Sequence, residues 1–242
     1  MKTPFRAVLA LAAILALAGC QKTADAAFGQ KVRAYLLEHP EVIEEAVQKL
    51  QEKKIADAAN LAKAGMVKHR EALERDPRDF VANPNGMITV VEFFDYRCGY
   101  CKSSAPEILQ IIRDNPDVRF VFKEFPIFGG ESTLAAQVAL SPAGKAKGLA
   151  LYQSFMGEKA LDGASIDRHL AAVGINPAQA RAAGESAAVQ KHISETRELA
   201  QALGIEGTPA FIVGDRLVPG ADMPALRAAI AAAKAGDLKR VG

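Results

Sequence analysis

Met87-Ile88-Thr89-Val90-Val91-Glu92-Phe93-Phe94 runs without a break into Asp95-Tyr96-Arg97-Cys98-Gly99-Tyr100-Cys101-Lys102. The first eight residues are mostly apolar and rich in β-branched side chains, bounded by Gly86 before and Arg97 after, which predicts a buried strand. From Ser103 to Asp114 the apolar residues Ile108, Leu109, Ile111 and Ile112 predict a helix, so the two cysteines sit where a strand hands over to a helix. Two cysteines three apart at a helix start lie one turn from each other, within the separation a disulfide needs. Cys98 also feels the free N–H groups and the positive dipole end of that helix, which favours thiolate. It is the expected nucleophile. Cys101, one turn in and flanked by packing residues, is the expected resolving thiol. A zinc knuckle would need a second ligand pair, and His39, His69, His169 and His192 show no matching spacing, so no metal site is expected. The other alternative is a structural disulfide, but its four-residue loop would constrain the unfolded chain little.

Outward from this junction the pattern is mixed α/β. Val118 to Phe125 reads as a second strand, and residues from about 130 to 190 carry only helical patterns, punctuated by Ser141-Pro142, Asp162-Gly163 and Asn176-Pro177. Val189 to Leu203 predicts a further helix ended by Gly204. Ala210 to Val213 and Leu217-Val218 flank Gly214-Asp215-Arg216 as a short hairpin, and Met223 to Ala235 predicts a last helix. Upstream, Asp76-Pro77-Arg78-Asp79 and Asn83-Pro84-Asn85-Gly86 are dense in turn formers and read as a linker.

Phe93 to Lys102, taken with the distant Gly207-Thr208-Pro209-Ala210-Phe211, resembles the DsbA-like branch of the thioredoxin superfamily. The resemblance implies a thioredoxin fold with an inserted helical domain at about 130–190, within a domain spanning 81–242. It carries over Cys98 and Cys101 as the redox pair, a cis-Pro loop at Thr208 and Pro209 that faces the cysteines and binds substrate with Tyr100, and Pro106 inside the active-site helix. Glu92, six residues before Cys98, matches a buried acid that shuttles a proton to the resolving thiol; its neighbours Val91 and Phe93 are apolar, as burial requires. Lys123 on the second strand is the expected partner of Glu92. No cofactor is implied.

The N-terminal third has another texture. Phe28, Val32, Tyr35 and Leu36 predict a helix to about Glu38; His39-Pro40 interrupts it, and a second helix starts near Glu41. Its stripe of Ile43, Val47 and Leu50 is too narrow for a core and wants a partner surface, either its own C-terminal domain or a second copy of the chain. Val32 to Ile43, with His39-Pro40-Glu41 at its centre, is similar to the N-terminal region of suppressor-of-copper-sensitivity C-type (ScsC) proteins. That similarity implies an α-helical oligomerisation region at 20–80, linker included, making a homo-oligomer (trimer or dimer), with disulfide isomerisation or reduction in the periplasm on exported cysteine-containing clients and a membrane-embedded thiol reductase as partner.

At the front, Lys2 and Arg6 flank a thirteen-residue apolar run from Ala7 to Gly19, the size of a signal-peptide core and too short to span a bilayer. Leu17-Ala18-Gly19-Cys20 resembles a lipobox, which predicts a signal peptide at 1–19, lipidation of Cys20 and anchoring to a membrane; cleavage at the A-x-A-like Ala24-Asp25-Ala26 is the alternative. Of the 30 Lys and Arg, removal of Lys2 and Arg6 leaves 28 against 28 Asp and Glu, so no basic surplus exists for nucleic acid. With 50% hydrophobic and 24% charged residues the chain reads as globular, and three cysteines exclude a disulfide-dense scaffold.

The direction of the chemistry is read from the residues between and beside the cysteines. Gly99 and Tyr100 lack the cationic His of strongly oxidising relatives, and Thr208 precedes Pro209 as in isomerases, so isomerase or reductase is expected. A DsbA-like thiol oxidase is the runner-up, with Arg97 and Lys102 close in sequence as possible stabilisers of the thiolate. A protein holding Cu(I) between Cys98 and Cys101 is the alternative from another class, since soft thiolates suit that ion.

Overall fold

The computed structural model describes residues 27–236. The apolar leader, Cys20 with its lipobox-like context, and the alternative cleavage site lie outside the described residues. The chain divides into two compact units, Met1–Asp57 and Ala58–Gly242.

In the first unit, α1 covers 27–38, and α2, Glu41–Lys68, starts immediately after His39-Pro40 and continues past the end of that unit at Asp57. Pro40 ends the run of N–H donors, and Glu41 and Glu44 in the first turn of α2 face the positive end of its dipole. Among the residues of 27–57 whose side chains are described, none is buried. Phe28, Tyr35, Ile43, Val47 and Leu50 are each at least half exposed.

The second unit is built on a five-stranded sheet of order β1-β3-β2-β4-β5, with β1 Phe80–Ala82, β2 Ile88–Phe94, β3 Val118–Glu124, β4 Ala210–Val213 and β5 Arg216–Pro219. Only β2 and β3 are parallel, joined through α4, Gly99–Asp114; the other pairings are antiparallel. Side chains alternate between the sheet's two faces. Val90, Phe94, Phe120, Phe122 and Phe211 share one core with α4, the helical block and α11, Met223–Ala235. Val91, Phe93, Val121 and Ile212 share the other with Ala62 and Met66 of α2, Leu73 of α3 (Arg70–Glu74), and Leu199 of α10 (Ala187–Ala202). This packing unit takes in residues 58–80, which the sequence reading placed with the N-terminal region and linker. The helical block holds α5 Gly130–Leu140, α6 Pro142–Ala146, α7 Gly148–Gly157, α8 Gly163–Ala172 and α9 Pro177–Gly184. Its starts follow the local chemistry: Ser141 and Asn176 cap helices that open on a proline, and Asp162 with Ser165 forms a capping box. Gly204, just past the C-cap of α10, has φ +68°, the left-handed conformation that ends a helix and that favours glycine.

Two expectations are corrected. The stretch read as a linker contains β1, which pairs antiparallel with β3 (Phe80 opposite Phe122) as an edge strand. Three residues between Pro77 and Pro84 are too few for alternation to stand out against turn formers. Lys123 does not meet Glu92. The parallel register sets Glu92 opposite Phe122 and Phe93 opposite Lys123, so the two charged side chains leave opposite faces of the sheet. Lys123 instead pairs with buried Asp79 and donates to the Ala72 carbonyl.

Candidate active site

Cys98 is the N-cap of α4, with extended backbone (φ −70°, ψ 122°), and its sulfur accepts from the Cys101 backbone N–H at 3.5 Å. Strand β2 ends at Phe94 and the chain needs four residues to turn into the helix, which delivers Cys98 to the end where backbone N–H groups lack partners. Cys101 lies one turn inside, fully buried, and both cysteines are free thiols. Pro106 sits in the interior of α4, as the resemblance implied.

The second element of the site comes from 110 residues downstream. The Thr208-Pro209 peptide bond is cis, and the Cys98 sulfur lies 3.2 Å from the Thr208 carbonyl oxygen, to which it donates when protonated. The Thr208 hydroxyl is buried without a hydrogen-bond partner. Gly220 N–H donates to the Pro209 carbonyl at 2.8 Å and fixes the loop to the end of β5.

The two thiols are driven apart in acidity. The Cys101 thiol, which donates to Cys98, brings Cys98 down to about 5 against the opposing effect of burial, helped by the backbone N–H groups of Cys101 and Tyr100. Burial pushes Cys101 far up, and its hydrogen bond to Cys98 and the charge of Glu92 push the same way. One sulfur is thus a thiolate at neutral pH and the other holds its proton.

Glu92 on β2 is fully buried on the face that packs against α4 and the helical block. Burial pushes it up to about 8; the Tyr152 hydroxyl, which donates to both carboxyl oxygens at 3.1 and 3.2 Å, pulls partly the other way, and the Cys98 charge adds to the rise. Beside it, Tyr96 donates to Glu124 at 2.8 Å, and burial holds that carboxyl well above its usual range too. Tyr152, Tyr96 and Glu124 were not singled out from the sequence. Tyr152 lies 60 residues from Glu92 on α7, and nothing local marks it.

Arg97 and Lys102, close to the cysteines in sequence, direct their charged groups elsewhere. Arg97 donates to the Phe128 carbonyl and pairs with Glu131, while Lys102 donates to the carbonyls of Phe155 and Glu158. Side-chain cations therefore give Cys98 little; its acidity comes from the Cys101 thiol and the backbone N–H groups at the start of α4. Cys98 opens onto a groove of about 820 Å³ lined by Tyr100, Ile127, Phe128, Gly207 and Thr208. Tyr100 is 72% exposed there. Ile127 and Phe128, on the segment between β3 and α5, are functional-site candidates that the sequence reading missed. Among the described residues no group of three metal-binding side chains occurs.

Comparison with known proteins agrees with this geometry. Residues 89–231 match the DSBA-like thioredoxin domain, and residues 25–56 match the copper resistance protein ScsC N-terminal domain. Among solved structures, a thioredoxin-like oxidoreductase from Silicibacter pomeroyi is 37% identical, covering 69% of this chain and 98% of its own, with TM-score 0.65. Proteus mirabilis ScsC in a transitional conformation is 31% identical, covering 87% and 99%, with TM-score 0.63. Salmonella enterica Typhimurium BcfH is 30% identical, covering 93% and 99%, with TM-score 0.69. Among curated proteins, a Na(+)/H(+) antiporter of Salinispora tropica is 37% identical over 54 residues, a match that spans 22% of this chain and only 8% of that protein. The chain belongs to the DsbA-like thioredoxin family, with an ScsC-type N-terminal domain ahead of its redox fold.

Proposed function

We propose that the protein is a periplasmic thiol-disulfide oxidoreductase acting on exported cysteine-containing proteins, and that it works as a disulfide isomerase or reductase. One observation carries this reading: an acidic Cys98 facing a groove, backed by a buried Cys101 that keeps its proton. The Cys98 thiolate attacks a client disulfide; a Cys98–client S–S bond forms, the client's own S–S bond breaks, and one client thiolate leaves. In isomerisation a different client thiolate then attacks the mixed disulfide and restores Cys98, with no net oxidation. In reduction Cys101 loses its proton and attacks the Cys98 sulfur, the second client thiolate leaves, and two electrons have passed to the client. The resulting Cys98–Cys101 disulfide needs a dithiol donor to reset it, the role expected of a membrane-embedded thiol reductase.

In this reading Glu92 takes the Cys101 proton. At pH 7 a carboxyl titrating near 8 is roughly one-tenth ionised. Formation of the mixed disulfide removes the Cys98 charge, one of the causes of that high value, so a larger fraction of Glu92 is ionised at the step that needs a base.

A thiol oxidase is the second reading, favoured by the same low Cys98 value: a stabilised reduced form makes the disulfide form a stronger oxidant. The N-terminal helices, with their exposed Ile43, Val47 and Leu50, support a homo-oligomer, and Leu17 to Cys20 supports a lipid anchor. The test has two parts. Cys98→Ser is expected to abolish exchange, and Cys101→Ser to accumulate mixed disulfides with clients; equal loss with nothing trapped would overturn the roles. Thiol alkylation in cells then decides direction, a mostly reduced pair supporting isomerase and a mostly oxidised pair supporting oxidase.

A further inference from the structure

We propose that Asp95 is a positioning residue that fixes Ile127 and Phe128 as an apolar wall beside Cys98, so that the groove favours extended clients carrying an apolar side chain next to the attacked cysteine. This rests on the thiol-exchange reading above. Asp95 is 2% exposed and follows directly on β2. Its two carboxylate oxygens accept four hydrogen bonds: from Arg97 N–H at 2.7 Å and the Ser132 hydroxyl at 2.8 Å on one, and from the N–H groups of Ile127 at 2.7 Å and Phe128 at 3.1 Å on the other. Its backbone carbonyl accepts from Cys98 N–H at 3.1 Å. One residue therefore ties the approach to the nucleophile to the segment that faces it. Arg97 doubles the tie by donating to the Phe128 carbonyl at 3.2 Å.

What this brace holds is unusual for a structural role. A buried carboxylate is costly unless its acceptor sites are filled, and here one oxygen is filled by the backbone N–H groups of Ile127 and Phe128, whose own side chains do not go inward. Ile127 is 39% and Phe128 48% exposed, and both line the groove with Cys98, Tyr100 and Thr208. Held outward next to a reactive sulfur, they are placed to cover an apolar residue of whatever chain that sulfur has engaged, while the backbone of Gly207 and Thr208 lines the other side of the groove. Charged neighbours of a client cysteine gain nothing from this wall.

The experiment uses the full mature chain and two disulfide-bonded peptides that differ only in the residue beside the cysteine, Phe in one and Gly in the other. For the Phe peptide, Asp95→Asn and Phe128→Ala are each expected to raise KM roughly five- to tenfold, the scale of losing part of one aromatic contact, with a smaller change in kcat. The wild-type preference for Phe over Gly should shrink by the same factor. Because Asp95 acts through Phe128, the double variant should be little worse than either single one. The thiolate absorbance of Cys98 should titrate as in the wild type. Met87→Ala, which removes a still more exposed apolar side chain away from the groove, should change none of these. Should Asp95→Asn fail to fold, Ser132→Ala removes one of the four donors and is expected to raise KM for the Phe peptide two- to threefold by loosening the same brace. Additive effects in the double variant, or a shifted thiolate titration in Asp95→Asn, would overturn the proposal by making Asp95 a determinant of the cysteine pair. Equal handling of both peptides by the wild type would overturn it as well, leaving thiol exchange intact. A wild type that exchanges with neither peptide takes down both readings.

Discussion

Glu92 keeps its proton because the fold gives it no cation. Burial raises it to about 8 from an ordinary 4.5, and Tyr152 offsets only part of that. The folded state thus binds the proton more tightly than the unfolded chain, so the contribution to stability is complete below about pH 4.5 and is lost as pH rises through 8. Cys98 runs the opposite way: lowered to about 5 from 9, it contributes stability above 9 that is lost as pH falls through 5. The two trends oppose each other between pH 5 and 8, so the wild type alone shows little. Glu92→Gln separates them. It is expected to gain thermal stability relative to wild type progressively from pH 5 to pH 8, measured on the reduced protein; a difference independent of pH would mean that Glu92 is not held neutral by burial. Tyr152→Phe removes the hydrogen bond that lowers Glu92, so the pH profile of mixed-disulfide resolution should move to higher pH. At this scale the sequence was informative where chemistry is local. Cys98, Cys101 and Glu92 stand within ten residues of one another, and Thr208-Pro209 carries its own signature. Tyr152 and the Ile127-Phe128 wall become visible only when the helical block and the β3–α5 segment close over the strand ends. Asp95 stood in view throughout, but an Asp after a strand reads as a turn former, and its four donors come from three separate stretches of chain.

The strands and helices were legible in proportion to their length. β2, β3, α4 and α11 announce themselves by periodicity, whereas β1 is set by tertiary pairing. Its three residues gain their place from β3 on one side, where Phe80 stacks on Phe122 at 5.3 Å, and from α7 across the core. Gly148, at the start of α7, lets that ring approach: a Cβ there would stand 2.3 Å from the Phe80 ring. Gly148→Ala is therefore expected to cost about 1–3 kcal/mol, the usual range for overpacking, although alanine is the better helix former. Urea unfolding measures it. A neutral or stabilising result would mean that β1 is not pinned against the helical block. Register explains the Lys123 correction at the same scale. Sequence spacing gives the strand a charged residue but not the face it leaves by, and a parallel neighbour shifted by one would have reversed the answer.

At the scale of the molecule, the proposed homo-oligomer starts from the exposed apolar side chains of the first unit. Phe28, Tyr35, Ile43, Val47 and Leu50 stand exposed on helices with no core of their own, and burying each aliphatic side chain is worth roughly 1.5–3 kcal/mol. A second copy supplies an equivalent face, and assembly around an axis would let one misfolded client meet more than one Cys98. Where to cut the chain to test this follows from packing. Ala62, Met66 and Leu73 belong to the sheet's second core, and Lys123 uses the Ala72 carbonyl and Asp79. A chain starting at Asp79 would lose all of these except Asp79 itself, and should melt well below wild type for reasons unrelated to assembly. A chain starting at Ala58 keeps them. It is expected to be monomeric by light scattering and to retain exchange with a small dithiol, while losing the reshuffling of a scrambled multi-disulfide client. If the mature chain itself scatters as a monomer, the exposed face has another occupant and the assembly argument for isomerisation falls. If the Ala58 chain is monomeric yet reshuffles as fast as the whole protein, assembly is real but isomerisation belongs to the single redox domain, and the groove beside Cys98 must then select non-native disulfides unaided.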